Sequence, residues 1–414
     1  MTGNQKSTEA AQRNRGPLRI MFANTSLLVG GAECLQMQIL EKLDRKRFTP
    51  MVCCLKEPGP LGDRMVDEIP VFSELLSHKY DLRVIHRLTQ LLKQQKVDAL
   101  VTVGAGDKMF WGRLAARRAR VPVVVSAIHS TGWPDTIGRL NRMLTSITDA
   151  FIAVAPSHGE YLVQQEGFPR SKVEVIPNGV DTDRFAFSSD ARMEIRREFD
   201  IPMNAPCVGI VAALRPEKQH QIFLKVASEL LIQMPTTHFL IVGEGPQRPD
   251  IEHWIASQNL TERVHLTGAR HDIPACLSAL DLFLLTSKME ANPVSILEAM
   301  SIGVPIVSTR VGSIEESVEN GVTGLLVNTE AGAQGLAQAC QQILSRPQAG
   351  LLMGKAGRDW VRQNASVESM VRVYESLITR IYASKTGERH KSETPATASP
   401  SDSIPLGSES DPRP

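Results

Sequence analysis

The chain has 414 residues, a formal net charge of +1 and 42% hydrophobic residues. A chain of this length is longer than a domain with a single hydrophobic core usually is, so we expect two domains. The near-neutral charge excludes a general attraction to nucleic acid, and no apolar run is long enough to span a membrane. Segment 1–17 lacks the apolar core of a signal peptide, and the six cysteines include no CxxC pair. We therefore expect a cytoplasmic protein with reduced thiols.

Both ends of the chain are expected to be disordered tails. Residues 1–17 are polar, and residues 384–414 are dominated by Ser, Pro, Glu, Gly and Thr. Such segments bury too little apolar surface to offset the entropy lost on ordering. The folded part should therefore span about residues 18–383.

Between the tails, short apolar runs alternate with helix-length segments, a pattern that predicts parallel α/β sheets. In the first half, we expect strands at 18–23, 49–55, 99–103, 122–127, 150–154 and 173–176. In the second half, we expect strands at 207–212, 238–242, 264–266, 282–285, 305–308 and 324–327. These runs are rich in Val, Ile and Leu without alternation, as in strands covered on both faces.

The strands divide into two doubly wound domains in tandem, 18–185 and 204–365, joined by a charged linker at 186–203. A helix at 366–383 comes after the second sheet is complete, and we expect it to dock back on the first domain. Ligands of such sheets bind beyond the carboxyl ends of the strands, and two facing sheets would enclose a cleft.

Two features at the predicted carboxyl edge of the first sheet suit a ligand. Gly30 and Gly31 follow the first strand and open a helix, so the backbone can approach a ligand closely, although a plain βα turn explains them equally well. His129 follows the apolar run 121–128, where a neutral imidazole can hydrogen-bond a sugar hydroxyl. A histidine that caps its own loop fits the sequence as well, so the residues leave both interpretations open.

Segment 83–147 of the first domain is basic, with eleven Lys and Arg residues against three acids in a nearly neutral chain. Solvated helix faces are the slightly favoured explanation. The alternative is a surface that binds an anionic membrane, where each Lys or Arg contributes about 1 kcal/mol. The basic residues are Arg83, Arg87, Lys93, Lys96, Lys108, Arg113, Arg117, Arg118, Arg120, Arg139 and Arg142.

Three loops of the second domain follow predicted strands. Lys218 lies in the first loop, and its flexible ammonium suits a leaving diphosphate, although a loop lysine is usually only solvated. Gly243-Glu-Gly-Pro246 has Arg248 where a dinucleotide fingerprint needs a third glycine, which counts against a nicotinamide dehydrogenase. The third loop, Thr267-Gly-Ala-Arg-His-Asp272, can offer backbone groups to a nucleobase edge.

The segment Glu290-Ala-Asn-Pro-Val-Ser-Ile-Leu-Glu298 places two carboxylates around a predicted helix start. Asn292 is a favourable N-cap, and Pro293 suits the first helical position. The free amides of that first turn suit a phosphate, and Glu298 lies one turn beyond Val294 on the same face. A carboxylate on each side of an anion site fits the sugar, diphosphate and ribose of a nucleotide sugar. Alone, the motif is explained more simply by two ordinary acids.

In this order and spacing, the motifs resemble family 4 of the retaining glycosyltransferases, over about residues 18–383. The resemblance implies the GT-B fold, an α/β architecture of two tandem Rossmann-like doubly wound parallel-sheet domains with an interdomain cleft. It rests on Gly30-Gly31-Ala-Glu33, His129, Val175-Ile-Pro-Asn-Gly-Val-Asp-Thr-Asp-Arg-Phe185, Arg215-Pro-Glu-Lys218, Gly243-Glu-Gly-Pro246, the Glu290/Glu298 pair, and Gly312-Ser-Ile-Glu-Glu316 followed by Gly321-Val-Thr-Gly324.

The resemblance implies transfer of a hexosyl unit from a nucleoside-diphosphate sugar to a hydroxyl, with retention, in surface polysaccharide or glycolipid synthesis. It implies no metal and no cofactor, and it favours a UDP-sugar donor. Many members carry an arginine where this chain has Ala213, and Arg215 is expected to supply that charge. The implied catalytic residues are His129, Glu290 and Lys218. The implied donor-binding residues are Gly30, Gly31, Arg215, Lys218, Gly243, Gly268, Arg270, Asn292, Val294 and Glu298.

The expected partners are the nucleoside-diphosphate sugar and a hydroxyl acceptor, with a lipid-linked acceptor and the inner face of an anionic membrane left open. Two other functions stay open as well. A sugar-nucleotide epimerase of the same fold would change the donor alone, so products formed without acceptor would identify it. A degenerate sugar-nucleotide-binding subunit would partner an active transferase. Ala213 favours that subunit, whereas His129, Lys218 and the two glutamates count against it.

Overall fold

The structure is a computed structural model that describes residues 16–28, 30–78, 81–104, 106–129 and 138–387. It divides into two compact units. The first unit contains the described residues up to 28, together with 39–176 and those from 371 onwards, and the second contains 30–38 and 177–370. Most of both expected tails, residues 1–15 and 388–414, lies outside the described residues.

The described part of the first unit contains a parallel sheet in the order β3-β2-β1-β4-β5-β6-β7. The six predicted strands are confirmed. The two-residue strand β3 was not predicted, because two residues are too few to show a pattern. The strands are β1 (Leu18–Asn24), β2 (Phe48–Cys54), β3 (Val71–Phe72), β4 (Ala99–Val103), β5 (Val123–Ala127), β6 (Ala150–Ala153) and β7 (Val173–Val175).

The second unit contains a parallel sheet in the order β10-β9-β8-β11-β12-β13, and its six predicted strands are confirmed. All residues of its central strands β9, β11 and β12 are buried, because helices cover both faces. The two sheets confirm the GT-B class of fold. The strands are β8 (Cys207–Val211), β9 (His238–Val242), β10 (Val264–Gly268), β11 (Leu282–Leu285), β12 (Ile306–Thr309) and β13 (Gly324–Val327).

Helices connect the strands in both units. In the first half of the chain they are α1 (Gly31–Lys42), α2 (Gly59–Met65), α3 (Arg83–Gln94), α4 (Asp107–Ala119), α5 (Gly138–Met143) and α6 (Pro156–Gln164). In the second half they are α7 (Ser189–Glu198), α8 (His220–Gln233), α9 (Arg248–Ser257), α10 (Ile273–Ser278), α11 (Val294–Ile302), α12 (Gly332–Leu344), α13 (Pro347–Asn364) and α14 (Val367–Thr386). Among the described residues, no helix is long and apolar enough to cross a membrane.

The segment 186–203, expected to be a linker, instead contains helix α7 of the second unit. The Ser188 hydroxyl caps this helix by accepting a hydrogen bond from the Ala191 amide at 3.2 Å. Arg192 and Arg196 each donate to the Asp281 carboxylate at 2.7 Å, and Arg196 is completely buried. Two charges of this stretch, Arg192 and Arg196, therefore belong to tertiary ion pairs of the second unit, so the stretch is not a linker. The second unit also begins at Pro177, earlier than the expected boundary at 185.

The last helix, α14, contributes its residues from 371 onwards to the first unit. The Glu375 carboxylate, which is 6% exposed, accepts a hydrogen bond from the Asp44 amide at 2.8 Å and pairs with Arg47 at 3.2 Å. Lys385 pairs with Asp149 at 2.6 Å. These contacts tie the end of the described chain to the strands and helices that precede residue 177.

Candidate active site

The topology of the second sheet creates a crevice between β8 and β11. These strands are neighbours, but the chain continues from β8 outwards to β9 and β10, and from β11 outwards to β12 and β13. The loops that follow β8 and β11 therefore diverge at the carboxyl edge, which is where α/β sheets bind ligands. Lys218 lies in the loop after β8, and Glu290 lies in the loop after β11. The fold brings together two residues that the sequence separates widely.

Lys218 and Glu290 form an ion pair at this crevice, with 2.6 Å between Nζ and Oε1. The Glu290 side chain is 8% exposed and that of Lys218 is 23% exposed. The Lys218 loop is fixed from the β11 side, because the Thr286 hydroxyl donates to the Lys218 carbonyl at 3.1 Å. Without a ligand, the buried Glu290 charge is thus compensated by the cation expected to bind a diphosphate.

The loop before α11 is held from outside the helix. The Asn178 amide nitrogen donates to the Asn292 carbonyl at 2.8 Å, and the Ser313 hydroxyl donates to the Ala291 carbonyl. Gly312 has a φ of +56°, and a Cβ atom there would collide with the Glu290 carbonyl oxygen. Two neighbouring loops therefore determine the backbone position of Glu290.

Helix α11 begins one residue later than predicted. Pro293 is its N-cap, with an extended ψ of 113°, so Asn292 is not the N-cap and Pro293 is not the first helical residue. The Pro293 carbonyl accepts the hydrogen bond of the Ile296 amide at 3.1 Å. The shift follows from the contacts of Asn178 and Ser313, which hold the preceding residues in a non-helical loop. The first turn of α11 still presents amides without intrahelical partners, which suit an anion.

Glu298 lies on α11 in a partly buried position beside the amino end of α1. Burial raises the pKa of the Glu298 carboxyl to about 7, partly opposed by the positive charge of Arg184. Burial, followed by the charges of Glu298 and Glu33, raises the pKa of the Cys34 thiol to about 11. A Cβ atom at Gly31 would lie 3.9 Å from Val294. The predicted residues Gly30, Gly31, Val294 and Glu298 are therefore close to one another.

The loops after β8, β9 and β10 also pack together. Gly243 has a φ of +150°, and a Cβ atom there would collide with the Ala212 carbonyl oxygen. Its amide donates to the Gly268 carbonyl at 3.0 Å. Arg215, in the same group of loops, is exposed. The structure thus places Gly243, Gly268 and Arg215 at the carboxyl edge that carries Lys218.

Arg270 has a different position from the other predicted donor-binding residues. Its guanidinium pairs with Asp272 at 2.7 Å and with Glu198 at 2.5 Å, and it lies 5.8 Å from the centre of the Phe199 ring. The hydrogen bonds that Arg270 donates to Asp272 and then to Glu198 raise the pKa of its guanidinium. Its side chain joins the loop after β10 to the end of α7. It takes no part in the ion pair between Lys218 and Glu290.

The candidate residue of the first unit is His129, two residues beyond the end of β5. It lies at the carboxyl edge of that sheet, as predicted, and is partly buried. Residues 130–137, which follow it, are outside the described residues.

Among the described residues of the basic segment 83–147, some arginines have partners within the fold. Arg113 is completely buried, where it donates to the Asn141 side-chain oxygen at 2.5 Å and to the Thr148 hydroxyl at 3.1 Å. Arg87 pairs with Asp81 at 2.9 Å. The count of charges overestimated the basic surface, because a sequence window does not reveal which arginines point inwards.

The residues that support the site were not predicted from the sequence. Asn178 and Ser313 lie within quoted motifs, but their hydrogen bonds to the loop before α11 could not be inferred from spacing. His220 was also missed. It is completely buried, and burial, followed by the charge of Lys218, lowers its pKa to about 4. It is therefore neutral at physiological pH. The feature of the sequence that could have identified His220 is its position two residues after Lys218.

Two family descriptions match the chain. Residues 205–346 match Glycosyl transferases group 1, and residues 29–184 match Glycosyltransferase Family 4. Together they cover most of both units.

Curated relatives agree with these matches. The chain is 29% identical over 327 residues to the UDP-Gal:alpha-D-GlcNAc-diphosphoundecaprenol alpha-1,3-galactosyltransferase of Escherichia coli, covering 75% of this chain and 84% of that protein. It is 32% identical over 282 residues to the 2-deoxystreptamine glucosyltransferase of Streptomyces kanamyceticus, covering 63% of this chain and 72% of that protein.

Among solved structures, the fold is similar to that of Anabaena HepE in complex with UDP and glucose. The TM-score is 0.77 at 22% identity, and the alignment covers 87% of this chain and 99% of that chain. At this identity the likeness concerns the fold. Together with the family matches over both units, it shows that the chain belongs to the family 4 glycosyltransferases and is a hexosyltransferase of the GT-B fold.

Proposed function

We propose that this enzyme transfers a hexosyl unit from a UDP-sugar to a hydroxyl with retention of anomeric configuration, and that the second unit binds the donor. The observation that carries the proposal is the Lys218–Glu290 ion pair at the crevice between β8 and β11. Glu290 lies in the loop that leads into α11, so a cation, a carboxylate and helix amides meet at one edge. Glu298 provides a second carboxylate further along the same helix.

Each group has one proposed role. The first amides of α11 and Lys218 bind the diphosphate, with the exposed Arg215 as a second cation. Glu298 accepts hydrogen bonds from the ribose diol, and Glu290 accepts them from hydroxyls of the sugar. Gly30 and Gly31 allow the backbone to approach the donor, and His129 hydrogen-bonds the sugar.

The proposed reaction takes place on one face of the sugar. The bond between the anomeric carbon and the diphosphate oxygen breaks, and the acceptor oxygen forms a bond to the same carbon. The acceptor proton passes to the departing phosphate oxygen. Lys218 and the helix amides stabilise the negative charge that develops on the diphosphate, so we propose that turnover needs no divalent metal.

The proposal of a UDP-hexose donor is supported by two similar proteins. The Escherichia coli relative uses UDP-Gal, and the structure of Anabaena HepE contains UDP and glucose. For the acceptor, we propose a lipid-linked hydroxyl at the cytoplasmic face of an anionic membrane. The acceptor of the Escherichia coli relative is a diphosphoundecaprenol derivative, and exposed basic residues of segment 83–147 would favour an anionic surface.

The first experiment identifies the donor. Thermal unfolding is measured with UDP, GDP and ADP, and the UDP- and GDP-hexoses are then incubated with hydroxyl acceptors in excess chelator. We expect UDP to raise the melting temperature most, and proton NMR to show an α-linked product from an α-linked donor. A β-linked product, loss of turnover in chelator that Mg²⁺ restores, or a changed donor without acceptor would each contradict the corresponding part of the proposal.

The membrane part is tested separately. Sedimentation with anionic and neutral vesicles is compared at low and high salt. Binding to anionic vesicles that high salt weakens is the expected result, because surface charges are screened by ions. Equal sedimentation with both kinds of vesicle would contradict a basic membrane-binding surface.

A further inference from the structure

A pocket of about 310 Å³ opens in the first unit at the amino-terminal edge of its sheet. Val121 and Pro122, directly before β5, and Asp149, directly before β6, form part of its wall. His129 follows the opposite, carboxyl end of β5. The pocket therefore lies away from the edge on which the first sheet contributes to catalysis. Its volume is at the lower end of the range of about 300–1,000 Å³ for small-molecule sites.

Three cations from two separate parts of the chain line this pocket. Arg117 and Arg120 come from the carboxyl end of α4, and Lys385 comes from the end of α14. The one acid in the lining is Asp149, which pairs with Lys385 at 2.6 Å and accepts a hydrogen bond from the Val124 amide at 2.8 Å. The carboxylate is thus already engaged.

The two arginines give the pocket an excess of positive charge. Both are exposed, and within the described part of the chain neither forms an ion pair. Arg118 lies between them in sequence and is also exposed, but it does not line the pocket. The carboxyl end of a helix attracts cations, which explains why basic residues occur there. It does not explain why Arg117 and Arg120 bound a cavity together with Lys385 from another helix.

The backbone at Arg120 adds a second observation. Arg120 caps α4 in the left-handed conformation, with φ +61° and ψ 40°. Glycine or asparagine is usual at such a position, and other residues adopt it with steric strain. A smaller residue would adopt this conformation with less strain than Arg120, and the Arg120 side chain lines the pocket.

We propose that this pocket binds a phosphate group, held by the Arg117 and Arg120 guanidiniums, with Lys385 and the Ser146 hydroxyl at its wall. Guanidiniums bind phosphate oxygens through paired, charge-assisted hydrogen bonds. The phosphate can come from a soluble anion or from a phospholipid headgroup, and the two sources share this chemistry. The site is separate from donor binding, which we assign to the second unit, so either proposal can fail without the other.

The test uses the full-length protein with inorganic phosphate and pyrophosphate as soluble probes. Binding is measured by calorimetry in excess UDP, which would fill the proposed diphosphate site. The variants are Arg117→Gln and Arg120→Asn, with Arg118→Gln as the matched control. Asparagine tolerates the left-handed conformation, so Arg120→Asn should fold at least as well as the wild type. Melting temperatures check that each variant is folded.

We expect either pocket variant to weaken binding of the soluble anions about tenfold or more, because each removes a charge-assisted interaction. Arg118→Gln should change it less than about twofold, as expected for an exposed charge elsewhere. If neither soluble anion binds, vesicles containing phosphatidic acid are used with the same variants. Vesicle binding that falls much more in the pocket variants than in Arg118→Gln, whose charge adds only to the general attraction of the basic segment, would assign the phosphate to a lipid headgroup. No binding of any probe, or equal losses in all three variants, would overturn the proposal.

Discussion

At the scale of single residues, the two glutamates of the site are in different electrostatic environments. Glu290 is buried but compensated by Lys218 at 2.6 Å. Burial instead raises the pKa of Glu298 to about 7, with only partial relief from Arg184. The ionised Glu298 is therefore destabilising, and a bound diol would donate hydrogen bonds to a carboxylate that receives none from the described residues.

The first prediction concerns the pH dependence of Glu298. In the folded state its pKa of about 7 is above the ordinary value of 4.5, so the folded protein retains a proton that the unfolded chain releases. The free energy of unfolding should therefore fall as pH rises from 4.5 to 7, by roughly 1–3 kcal/mol after allowance for partial exposure. Glu298→Gln cannot ionise and should avoid this loss.

The measurement is urea unfolding of the unliganded protein at pH 5 and pH 8. We expect Glu298→Gln to be more stable than the wild type at pH 8 and similar to it at pH 5. Glu290→Gln is the control, because it removes the partner of Lys218 and should not be more stable at either pH. A wild type and a Glu298→Gln variant with the same pH dependence would contradict this account.

Single residues of the site were easier to predict from the sequence than their partners. Lys218 and Glu290 were both selected from residue type and motif, but an ion pair across 72 positions of sequence depends on the strand order. Arg270 and Arg113 show the reverse. Arg270 was selected for donor binding from its motif position, but its guanidinium pairs with Asp272 and Glu198. Arg113 was counted with the basic surface, but it is a buried hydrogen-bond donor. Local sequence does not reveal which acceptors a distant loop supplies.

At the scale of secondary-structure elements, the position of α11 depends on the loop after β12. Gly312 in that loop approaches the Glu290 carbonyl so closely that only a hydrogen atom fits at the Cα position. Ser313, the next residue, binds the Ala291 carbonyl. This pair of contacts explains why Gly-Ser occurs here and how the carboxylate and the helix amides are kept in one arrangement.

The second prediction tests that contact with Gly312→Ala. The new methyl group would meet the Glu290 carbonyl and would also disfavour the φ of +56°. We expect a loss of about 2–5 kcal/mol in the free energy of unfolding, together with weaker UDP binding. The control is Gly321→Ala, at a φ of +84° with no atom within 4 Å of the new Cβ, which should cost only about 1–2 kcal/mol. Equal losses in the two variants would exclude the close approach as the cause.

Elements were predictable where their pattern was long enough. The Val- and Ile-rich runs identified twelve strands, whereas β3, with two residues, had no pattern to detect. Helix α7 was mistaken for a linker because it is rich in charged residues, and the pairing of Arg192 and Arg196 with Asp281 is not visible in the sequence. The start of α11 was placed one residue early, because tertiary hydrogen bonds to the preceding loop overrode the N-cap preference of Asn292.

At the scale of the whole molecule, α14 links the end of the described chain to the first unit. Glu375 is a buried charged anchor of this helix, with the Asp44 amide and Arg47 as partners. Its removal should leave the Asp44 amide without its acceptor, whereas nucleotide binding, assigned to the second unit, should be unaffected. The alternation of strands and helices predicts two sheets, but the contacts of α14 depend on side chains that no local pattern specifies.

The third prediction therefore concerns Glu375→Ala. We expect a loss of about 1–3 kcal/mol in the free energy of unfolding of the first unit, with unchanged affinity for UDP. Glu375→Gln keeps an oxygen acceptor for the Asp44 amide and should lose less. Denaturant unfolding and UDP calorimetry measure the two effects. Unaltered stability of the alanine variant would contradict the anchoring role of Glu375.

The central claim is that Glu298 binds the nucleoside end of the donor and Glu290 binds the sugar end. The direct test measures steady-state kinetics and UDP calorimetry for Glu290→Gln and Glu298→Gln at pH 8, where Glu298 is ionised. Glu315→Gln, which changes an exposed acid paired with Arg310, is the control and should behave as the wild type.

We predict that Glu298→Gln weakens UDP binding and raises the donor KM about tenfold or more, because a charge-assisted contact is lost in ground and transition states alike. Glu290→Gln should lower kcat about a hundredfold or more while UDP affinity stays the same or rises, because Lys218 loses a competing partner. A Glu290→Gln enzyme that turns over normally, or that loses UDP binding as severely as Glu298→Gln, would contradict this assignment.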